Sequence, residues 1–550
     1  MIKPEEKADN DWKAPFPVNI TLLVLAVLLF VLSQPNFLLP RGLPILAYIA
    51  FVPLFLLIRR ISFRSSFLWG GLYGLFSYCL FASWLASFHP LALYLIAILY
   101  FCWFLLVFPA LKLADLLFPR YGFIVQWMIW VGFEYLKTLG FTGYSYGIIG
   151  YSQWSLPVLI QSASIFGVWG VSALVVFPSA WIAGALKQGS YGKVRDWASG
   201  FTNFARLHVI SISVWACAVI VTIVFVLVNP VDYRDDKAIT IALIQPNSDP
   251  WKGGINTYRR NYNTLVRLTD KALSARPDID LVVWPETAFI PRIDWHYRYR
   301  EDQATFELVS DLLAWIDRLP VPILTGNDDA IMGKADDGTI DRVDYNAALL
   351  FTPKKNVIPP EPERYRKMHL VPFTEHFPYQ RQLPFVYDLL VNHDTHFWAE
   401  GSDPAVFSVA GLSFSTPICF EDTFGYISRR FVNSGARAIV NITNDAWAQS
   451  LPCQYQHLSM AVFRAVENRV PVVRATASGQ TCNIAPSGNI TAMATPLTET
   501  WLAASIPVLD GLERTPYRFW GDLWGLLFVA LSAGFLGAGM LTKLRHIYDN

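Results

Sequence analysis

Three side chains suited to nucleophilic catalysis lie in the second half of the 550-residue chain. Glu286 follows the run LVVW, Lys367 lies in the segment ERYRKMH, and Cys419 follows the run STPI. A thiol with an ordinary pKa of about 8.5 is mostly protonated at neutral pH, so it needs a base or a nearby cation to react. The three residues therefore predict a site in which Cys419 attacks, Glu286 takes the thiol proton and Lys367 stabilises an oxyanion.

Each of these residues alone has a simpler explanation. A glutamate after a strand is usually a solvated loop residue, a lysine is usually a surface charge, and a cysteine is usually a small buried residue. Their joint occurrence, in the order Glu, Lys, Cys and each at the edge of a predicted α/β sheet, favours catalysis.

Short β-rich runs alternate with amphipathic helical segments around these residues, which indicates an α/β domain. Buried strands are predicted at residues 238–245, 281–284, 322–325, 347–351, 412–418 and 438–442. Helical spacing of apolar residues is found at residues 257–275, 304–319 and 456–468.

The first part of the chain is depleted of charge. Residues 18–228 contain only 14 Asp, Glu, Lys and Arg in 211 positions, which is typical of a membrane domain. We predict seven transmembrane helices there and an eighth near the end of the chain, at residues 18–33, 43–58, 66–88, 91–118, 123–139, 161–186, 208–228 and 519–541. The first two are short and could instead form one broken hairpin. The first could be a signal peptide, but no Ala-x-Ala-like site follows it, which favours an uncleaved helix.

Basic loop residues predict the orientation, since loops rich in Lys and Arg stay in the cytoplasm. The opposite loops are poor in Lys and Arg, whereas ten basic residues fall on one side of the eight predicted spans: Arg59, Arg60, Arg64, Arg120, Lys187, Lys193, Arg195, Arg206, Lys543 and Arg545. This places residues 1–17 and 542–550 in the cytoplasm and the domain at residues 229–518 outside. The net charge of +1 and the absence of basic clusters with interleaved aromatic residues argue against nucleic acid as a partner.

Longer motifs around the three residues resemble a known family. The segments WPETA, YRKMHLVPFTEHFP, PICFED, NITNDAWAQS and FRAVENRVPVVRATASG are similar to the nitrilase (carbon-nitrogen hydrolase) superfamily, and within it to the apolipoprotein N-acyltransferase family. In the predicted membrane domain, the segment FEYLKTLGFTGYSYGIIGYSQ resembles that family's charged, aromatic and Gly-rich stretch between two helices, so the similarity covers nearly the whole chain. It implies a multi-pass α-helical membrane domain and an exported nitrilase-like domain folded as a four-layer αββα sandwich.

The resemblance also implies an activity. Cys419 would take an acyl group from a phospholipid, typically phosphatidylethanolamine, and pass it as a thioester to the α-amino group of the N-terminal diacylglyceryl cysteine of an apolipoprotein. Such enzymes lie in the bacterial inner membrane with the catalytic domain on the periplasmic side. No metal-ligand spacing is seen, and no cofactor is expected.

Supporting residues carry over from the resemblance one by one. Glu375 would orient Lys367, Phe420 and Glu421 follow the nucleophile, and Trp251 and Trp447 would lie in loops at the mouth of the site. Simpler roles remain open, namely salt bridges for the two glutamates and an interfacial anchor for Trp251.

Glu134 lies inside a predicted span with Lys137 one turn later. Intramembrane charge suggests a contact to the lipid headgroup, and a snorkelling pair at the outer interface is the alternative.

This chain also departs from the family pattern. Ala448 and Gln449 follow NDAW where an aromatic residue and glycine are frequent, and RATASG replaces an asparagine-rich sequence, which puts substrate preference in doubt. Cys453 and Cys482 would form a disulfide only if their Cα atoms come close. The main alternative function is a membrane-tethered amidohydrolase acting on a small amide, and a silent membrane scaffold is disfavoured because all three catalytic residue types are present.

Overall fold

The computed structural model describes residues 16–88, 91–186, 194–228, 231, 237–334, 340–392, 395–508 and 514–548. The chain divides into two compact units. The helical unit comprises residues 1–139, 143–230 and 520–550, and the α/β unit comprises residues 140–142 and 231–519. Most of the predicted cytoplasmic N-terminus, the basic loop residues Lys187 and Lys193 and the last two residues of the tail lie outside the described residues.

Ten helices lie before the α/β unit in the described part of the helical unit, and several of them are rich in Leu, Val, Ile and Phe. They are α1 (Phe16–Ser33), α2 (Val52–Arg60), α3 (Phe63–Phe81), α4 (Leu85–Phe88), α5 (Ala92–Leu117), α6 (Gly122–Leu136), α7 (Pro157–Ile160), α8 (Ala163–Leu186), α9 (Val194–Leu207) and α10 (Val209–Val228). Two 3-10 turns, Pro44–Tyr48 and Ile149–Gln153, complete this part. The long helix Leu523–Tyr548 belongs to the same unit.

Five of the described helices are long and apolar enough to cross a membrane: α1, α5, α8, α10 and the helix near the end of the chain, Leu523–Ile547. They correspond to five of the eight predicted spans. The predicted span 43–58 is wrong as a continuous helix, because the 3-10 turn Pro44–Tyr48 and α2 (Val52–Arg60) divide it. Pro44 and Pro53 lie in the first turn of these two pieces, where proline is tolerated. In the interior of a continuous helix the same residue removes a hydrogen bond and breaks the helix. The spans 66–88 and 123–139 correspond to α3 and to α6, which has 15 residues.

The α/β unit contains two six-stranded sheets. The strands are β1 (Ala238–Gln245), β2 (Ile279–Val283), β3 (Ile323–Lys334), β4 (Ile340–Phe351), β5 (Glu363–Arg366), β6 (Phe407–Val409), β7 (Leu412–Ser415), β8 (Ala438–Thr443), β9 (Val472–Thr476), β10 (Cys482–Ile484), β11 (Ile490–Met493) and β12 (Thr500–Pro507). The first sheet has the order β12-β1-β2-β3-β4-β5 and the second has the order β11-β10-β9-β8-β7-β6. In each sheet the three central parallel strands, β1-β2-β3 and β7-β8-β9, are flanked by antiparallel ones.

Helices cover the outer faces of both sheets. Those that pack on a sheet or its buried core are α11 (Ile255–Ala275), α12 (Ile293–Tyr299), α13 (Gln303–Ile316) and α16 (Leu451–Asn468). The helices α14 (Pro384–Val391) and α15 (Gly425–Asn433) also belong to this unit, and α17 (Pro516–Trp520) and α18 (Leu523–Tyr548) follow. Apolar residues of α11 and α13 pack on the first sheet in one buried core, and α16 contacts β9 of the second. The sheets contact each other through β1 with β9 and β10 with β12. The predicted four-layer αββα sandwich is confirmed.

Two strands are longer than predicted. The apolar runs at 322–325 and 347–351 are the inner parts of a hairpin in which β3 and β4 pair along their whole length. The outer part carries charged residues such as Asp329, opposite Tyr345, so backbone pairing continues where the apolar pattern stops. The predicted strand 412–418 instead ends at Ser415. Pro417, which has no N–H to donate, follows shortly after.

Candidate active site

The three predicted catalytic residues lie at the ends of strands of the α/β unit. Glu286 follows β2, Lys367 directly follows β5, and Cys419 follows β7 and begins the 3-10 turn Cys419–Thr423. Three strands, two in the first sheet and one in the second, therefore each end shortly before one of these residues. The structure brings all three together, since Lys367 Nζ lies 3.7 Å from Glu286 Oε1 and both of these groups shift the pKa of the Cys419 thiol.

Glu286 is held by two donors and is only 4% exposed. Its Oε1 accepts a hydrogen bond from Asn346 Nδ2 at 2.9 Å, and its Oε2 accepts one from the backbone N–H of Asn444 at 3.0 Å. Burial raises the pKa of Glu286 above its usual value, and Lys367 opposes that shift. A carboxylate with a raised pKa is a stronger base, which suits it to take a proton from a thiol.

Lys367 is completely buried, and its Nζ forms ion pairs with two carboxylates. Glu375 lies 2.8 Å from Nζ, nearer than Glu286. Burial by itself lowers the pKa of Lys367, but Glu375 and Glu286 together raise it above its usual value. Lys367 is therefore an ammonium at neutral pH, as a buried cation must be paired to remain charged.

Cys419 adopts a left-handed backbone conformation with φ 49°, which is uncommon for a residue with a side chain. Such strain is frequent at nucleophiles that a sharp turn presents to a substrate. Burial and the neighbouring Glu286 raise the pKa of the thiol well above its usual value, and Lys367 lowers it. The resting thiol is thus protonated, and its reaction requires transfer of that proton to a base.

Glu421 fixes the backbone on both sides of the site. Its Oε1 accepts from the N–H groups of Met368 and His369 at 2.8 and 3.0 Å, and its Oε2 accepts from Ile418 N at 2.8 Å. Burial raises its pKa to about 7. These bonds join the segment after Lys367 to the residue before Cys419, so a surface salt bridge does not describe Glu421. Phe420, 8% exposed, packs edge-on against Phe424 with ring centroids 5.0 Å apart.

The two predicted mouth tryptophans contact each other. Trp251 and Trp447 pack edge to face with centroids 4.9 Å apart, and Trp251 remains 57% exposed. Ala448 is buried, whereas Gln449 is exposed with φ 44°, a conformation for which glycine has no steric penalty. The departure from the family pattern at Gln449 thus retains a glycine-like backbone.

Glu134 lies in the helical unit, and the interpretation as a snorkelling pair is wrong. Glu134 and Lys137 are each 2% exposed. Glu134 Oε1 accepts from Ile149 N at 2.9 Å, and Lys137 Nζ donates to Tyr78 Oη and to Tyr146 O, both at 2.8 Å. Both charged groups hydrogen-bond to partners within the helical unit. A buried charge without such bonds would be costly.

Cys453 and Cys482 are both buried and free, so the disulfide that the sequence left open is not formed. Burial raises the pKa of Cys482 to about 12, which leaves it an inert thiol. Among the described residues, no group of three or more His, Cys, Asp and Glu side chains is arranged to hold a metal ion.

Sequence reasoning missed several residues of the site. Asn346 lies on β4 within the run NAALLF and gave no signal beyond a polar residue in an apolar strand. His457 is hydrogen-bonded to Asp422 and Asp445 beneath the cysteine turn. Asp422 and Asp445 stand in the motifs PICFED and NDAW, so those motifs were the available signal.

Comparisons with known proteins agree with this architecture. The carbon-nitrogen hydrolase family matches residues 240–513, and the apolipoprotein N-acyltransferase N-terminal domain matches residues 17–181. Apolipoprotein N-acyltransferase 1 of Treponema denticola is 50% identical over 519 residues, which cover 93% of this chain and 94% of that protein. Apolipoprotein N-acyltransferase 1 of Treponema pallidum is 51% identical over 96% of each chain, and the apolipoprotein N-acyltransferase of Geobacter metallireducens is 31% identical over 96% of each.

A nitrilase-fold catalytic unit in one chain with long apolar helices defines a membrane enzyme of the carbon-nitrogen hydrolase class. The chain belongs to the apolipoprotein N-acyltransferase family and is an acyltransferase. The alternative of an amidohydrolase acting on a small amide is not favoured.

Proposed function

We propose that the chain transfers an acyl group from a membrane phospholipid, with phosphatidylethanolamine as donor, to the α-amino group of the N-terminal S-diacylglyceryl cysteine of apolipoproteins. The observation that carries this proposal is the buried pair of Glu286 and Lys367 beside the Cys419 thiol, in a chain whose described residues include five helices long and apolar enough to cross a membrane. A small soluble amide requires no such helices, whereas a diacyl lipid does.

In the first step the Cys419 sulfur attacks the ester carbonyl of the phospholipid while Glu286 takes the thiol proton. The carbonyl oxygen becomes an oxyanion, which the Lys367 ammonium stabilises by charge and hydrogen bonding in a site poor in water. Collapse of the tetrahedral intermediate breaks the ester C–O bond. The lysophospholipid oxygen leaves with the proton returned by Glu286, and the acyl group remains as a thioester on Cys419.

In the second step the free α-amine attacks the thioester carbonyl, and Glu286 takes one amine proton. The C–S bond breaks, an amide forms, and the thiolate regains its proton from Glu286. Glu375 keeps Lys367 oriented in both steps through the contact at 2.8 Å. The two products leave at different stages, so the kinetics are ping-pong.

Lipid access and location follow from the same proposal. Trp251 and Trp447 lie where the acyl chain enters, and Glu134 contributes to substrate binding through the backbone segment that it holds. Residues 18–228 and 519–541 form the membrane domain, residues 1–17 and 542–550 lie in the cytoplasm, and residues 229–518 lie on the periplasmic side of the bacterial inner membrane.

The purified full-length chain in micelles containing phosphatidylethanolamine tests this function by intact mass. We expect an acyl adduct on wild type, none on Cys419→Ala, and a wild-type adduct on the matched control Cys482→Ala, whose buried thiol is outside the proposed reaction. Addition of a diacylglyceryl-cysteine peptide should discharge the adduct onto the peptide amine. If wild type and Cys419→Ala behave alike, the covalent mechanism is wrong, and if the adduct decays equally fast without peptide, the enzyme is a hydrolase.

A further inference from the structure

A buried imidazole lies beneath the cysteine turn and has no role in the reaction proposed above. His457, on α16, is 2% exposed. Its Nδ1 lies 2.9 Å from Asp445 Oδ1 and its Nε2 lies 2.7 Å from Asp422 Oδ1. A neutral imidazole carries one N–H, so it donates to two carboxylates at once only when both nitrogens are protonated. The geometry therefore favours an imidazolium at this position.

The two carboxylates belong to two different turns of the site. Asp422 lies in the turn Cys419–Thr423, and His457 Nε2 is also 3.3 Å from the carbonyl oxygen of Cys419. Asp445 begins the turn Asp445–Trp447, and the residue before it, Asn444, donates its backbone N–H to Glu286 Oε2. One side chain thus links the turn that carries the nucleophile to the turn that holds the base.

We infer that His457 is a positioning residue whose imidazolium cross-links these two turns and so holds the thiol of Cys419 against the carboxylate of Glu286. The effect on acyl transfer rests on the proposed function, whereas the effect on the thiol itself does not. His457 touches neither substrate nor the reacting atoms and acts through Asp422 and Asp445.

The charges around His457 support the doubly protonated form. Arg474 pairs with Asp422 and lies 3.7 Å from Asp445 Oδ2, so two carboxylates face one guanidinium and one imidazole. Only a charged imidazole balances the second carboxylate. Burial lowers the pKa of His457, but Asp422 and Asp445 raise it to about 9 against the opposing effect of Arg474. The thiols of Cys419 and Cys453, both with raised pKa, face Asp445 as neutral groups.

His457→Gln tests this role, with Ser459→Ala on the same helix as the matched control. The Ser459 hydroxyl is buried and donates only to the backbone of its own helix at Gln456 O. Alkylation of Cys419 by iodoacetamide, followed by peptide mass spectrometry, gives an amplitude that counts folded sites and a rate constant that reports the state of the thiol. Acylation by phosphatidylethanolamine gives the same two quantities for the proposed reaction.

We expect His457→Gln to lower both rate constants about 10- to 100-fold at an unchanged amplitude and an unchanged KM for lipid, since a displacement of about 1 Å at a reacting pair has an effect of this order. Ser459→Ala should match wild type. A reduced amplitude with wild-type rate constants would mean that His457 serves folding alone and would overturn the inference, as would unchanged rate constants.

Asp445→Asn provides a second variant should His457→Gln fail to fold. Asp445→Asn keeps an oxygen acceptor for Nδ1, so it should lower the acylation rate constant less than His457→Gln does. Because it removes a charge that raises the pKa of His457, it should shift the alkaline limb of the pH profile of acylation to lower pH. A pH profile identical to that of wild type would contradict the inference. If wild type forms no acyl adduct, the proposed function fails, and the alkylation rate constants alone decide the role of His457.

Discussion

Lys367 lies closer to Glu375 than to Glu286: its Nζ is 2.8 Å from the first carboxylate and 3.7 Å from Oε1 of the second. Glu375 therefore neutralises most of the ammonium charge, and Glu286 keeps the raised pKa that burial gives it. Two carboxylates of the same chemical type thus acquire separate roles from their surroundings, one as the partner of a cation and the other as a base.

Glu286→Gln should abolish most of the acylation of Cys419. An amide does not accept the thiol proton, and the loss of a general base typically lowers a rate about 10²- to 10⁴-fold. The rate of adduct formation by intact mass measures this, with the exposed Glu301→Gln as control. A Glu286→Gln variant that keeps a rate close to that of wild type would assign proton transfer to another group.

Asn346→Leu should shift the acid limb of the pH profile of acylation to higher pH. Glu286 must be ionised to act as a base, so the rate falls as the pH drops through its pKa, which burial already raises above 4.5. The hydrogen bond from Asn346 Nδ2 favours the ionised form, and its removal raises the pKa further. The pH profile of kcat/KM measures the shift, and an unchanged limb would show that another group titrates there.

Glu375→Gln should slow acylation about 10- to 100-fold without preventing folding. The variant replaces a hydrogen bond between two charged groups, which is worth about 1.5–3 kcal/mol, and lowers the pKa of Lys367 by removing one of the two carboxylates that raise it. Single-turnover acylation at several pH values measures both effects. The matched control is Glu400→Gln, an exposed glutamate of the same unit. Equal rates in the two variants would remove Glu375 from the mechanism.

Gly326→Ala should destabilise the α/β unit and lower activity together. A Cβ at this position would lie 2.6 Å from Glu286 Cα and 2.9 Å from Pro285 O, and these backbone atoms of the segment after β2 cannot move aside as a flexible side chain can. Overpacking of this kind costs about 1–3 kcal/mol. Thermal unfolding should show a lower Tm than for Gly253→Ala, whose Cβ meets only Tyr258 Oη at 3.5 Å. A Tm equal to that of the control would show that the strand shifts freely.

His457→Gln should remove a pH-dependent part of the stability. The pKa of His457 is about 9 in the folded chain against an ordinary value of 6.5, so the folded state binds its proton more tightly. This stabilisation is complete below about pH 6.5 and is lost as the pH rises through about 9. The Tm difference between wild type and His457→Gln should therefore be larger at pH 6.5 than at pH 9.5, while Ser459→Ala shows a constant difference. A difference that does not depend on pH would mean that His457 is neutral in the folded chain.

The sequence by itself determined the α/β class, the strands that precede Glu286 and Cys419, the catalytic residue types including Lys367, and the apolar character of the first part of the chain. These features are local: alternation of apolar runs, depletion of charge and residue types at fixed positions can all be read along the chain. The same local character explains the errors. The outer halves of β3 and β4 were not predicted, because their charged residues do not follow an apolar strand pattern. The span 43–58 was predicted as one helix, although prolines divide it into two pieces.

Only the tertiary structure decided which polar groups surround the catalytic residues. Asn444 and Glu286 are 158 positions apart, and His457 is 12 positions from Asp445 and 35 from Asp422. Contacts of this kind arise when strand ends of two sheets and the start of α16 meet, and no periodicity in the sequence encodes their distances. Burial is likewise a property of the assembled unit, so the pKa values that divide base, cation and positioning imidazolium among these groups appear only once the chain has folded.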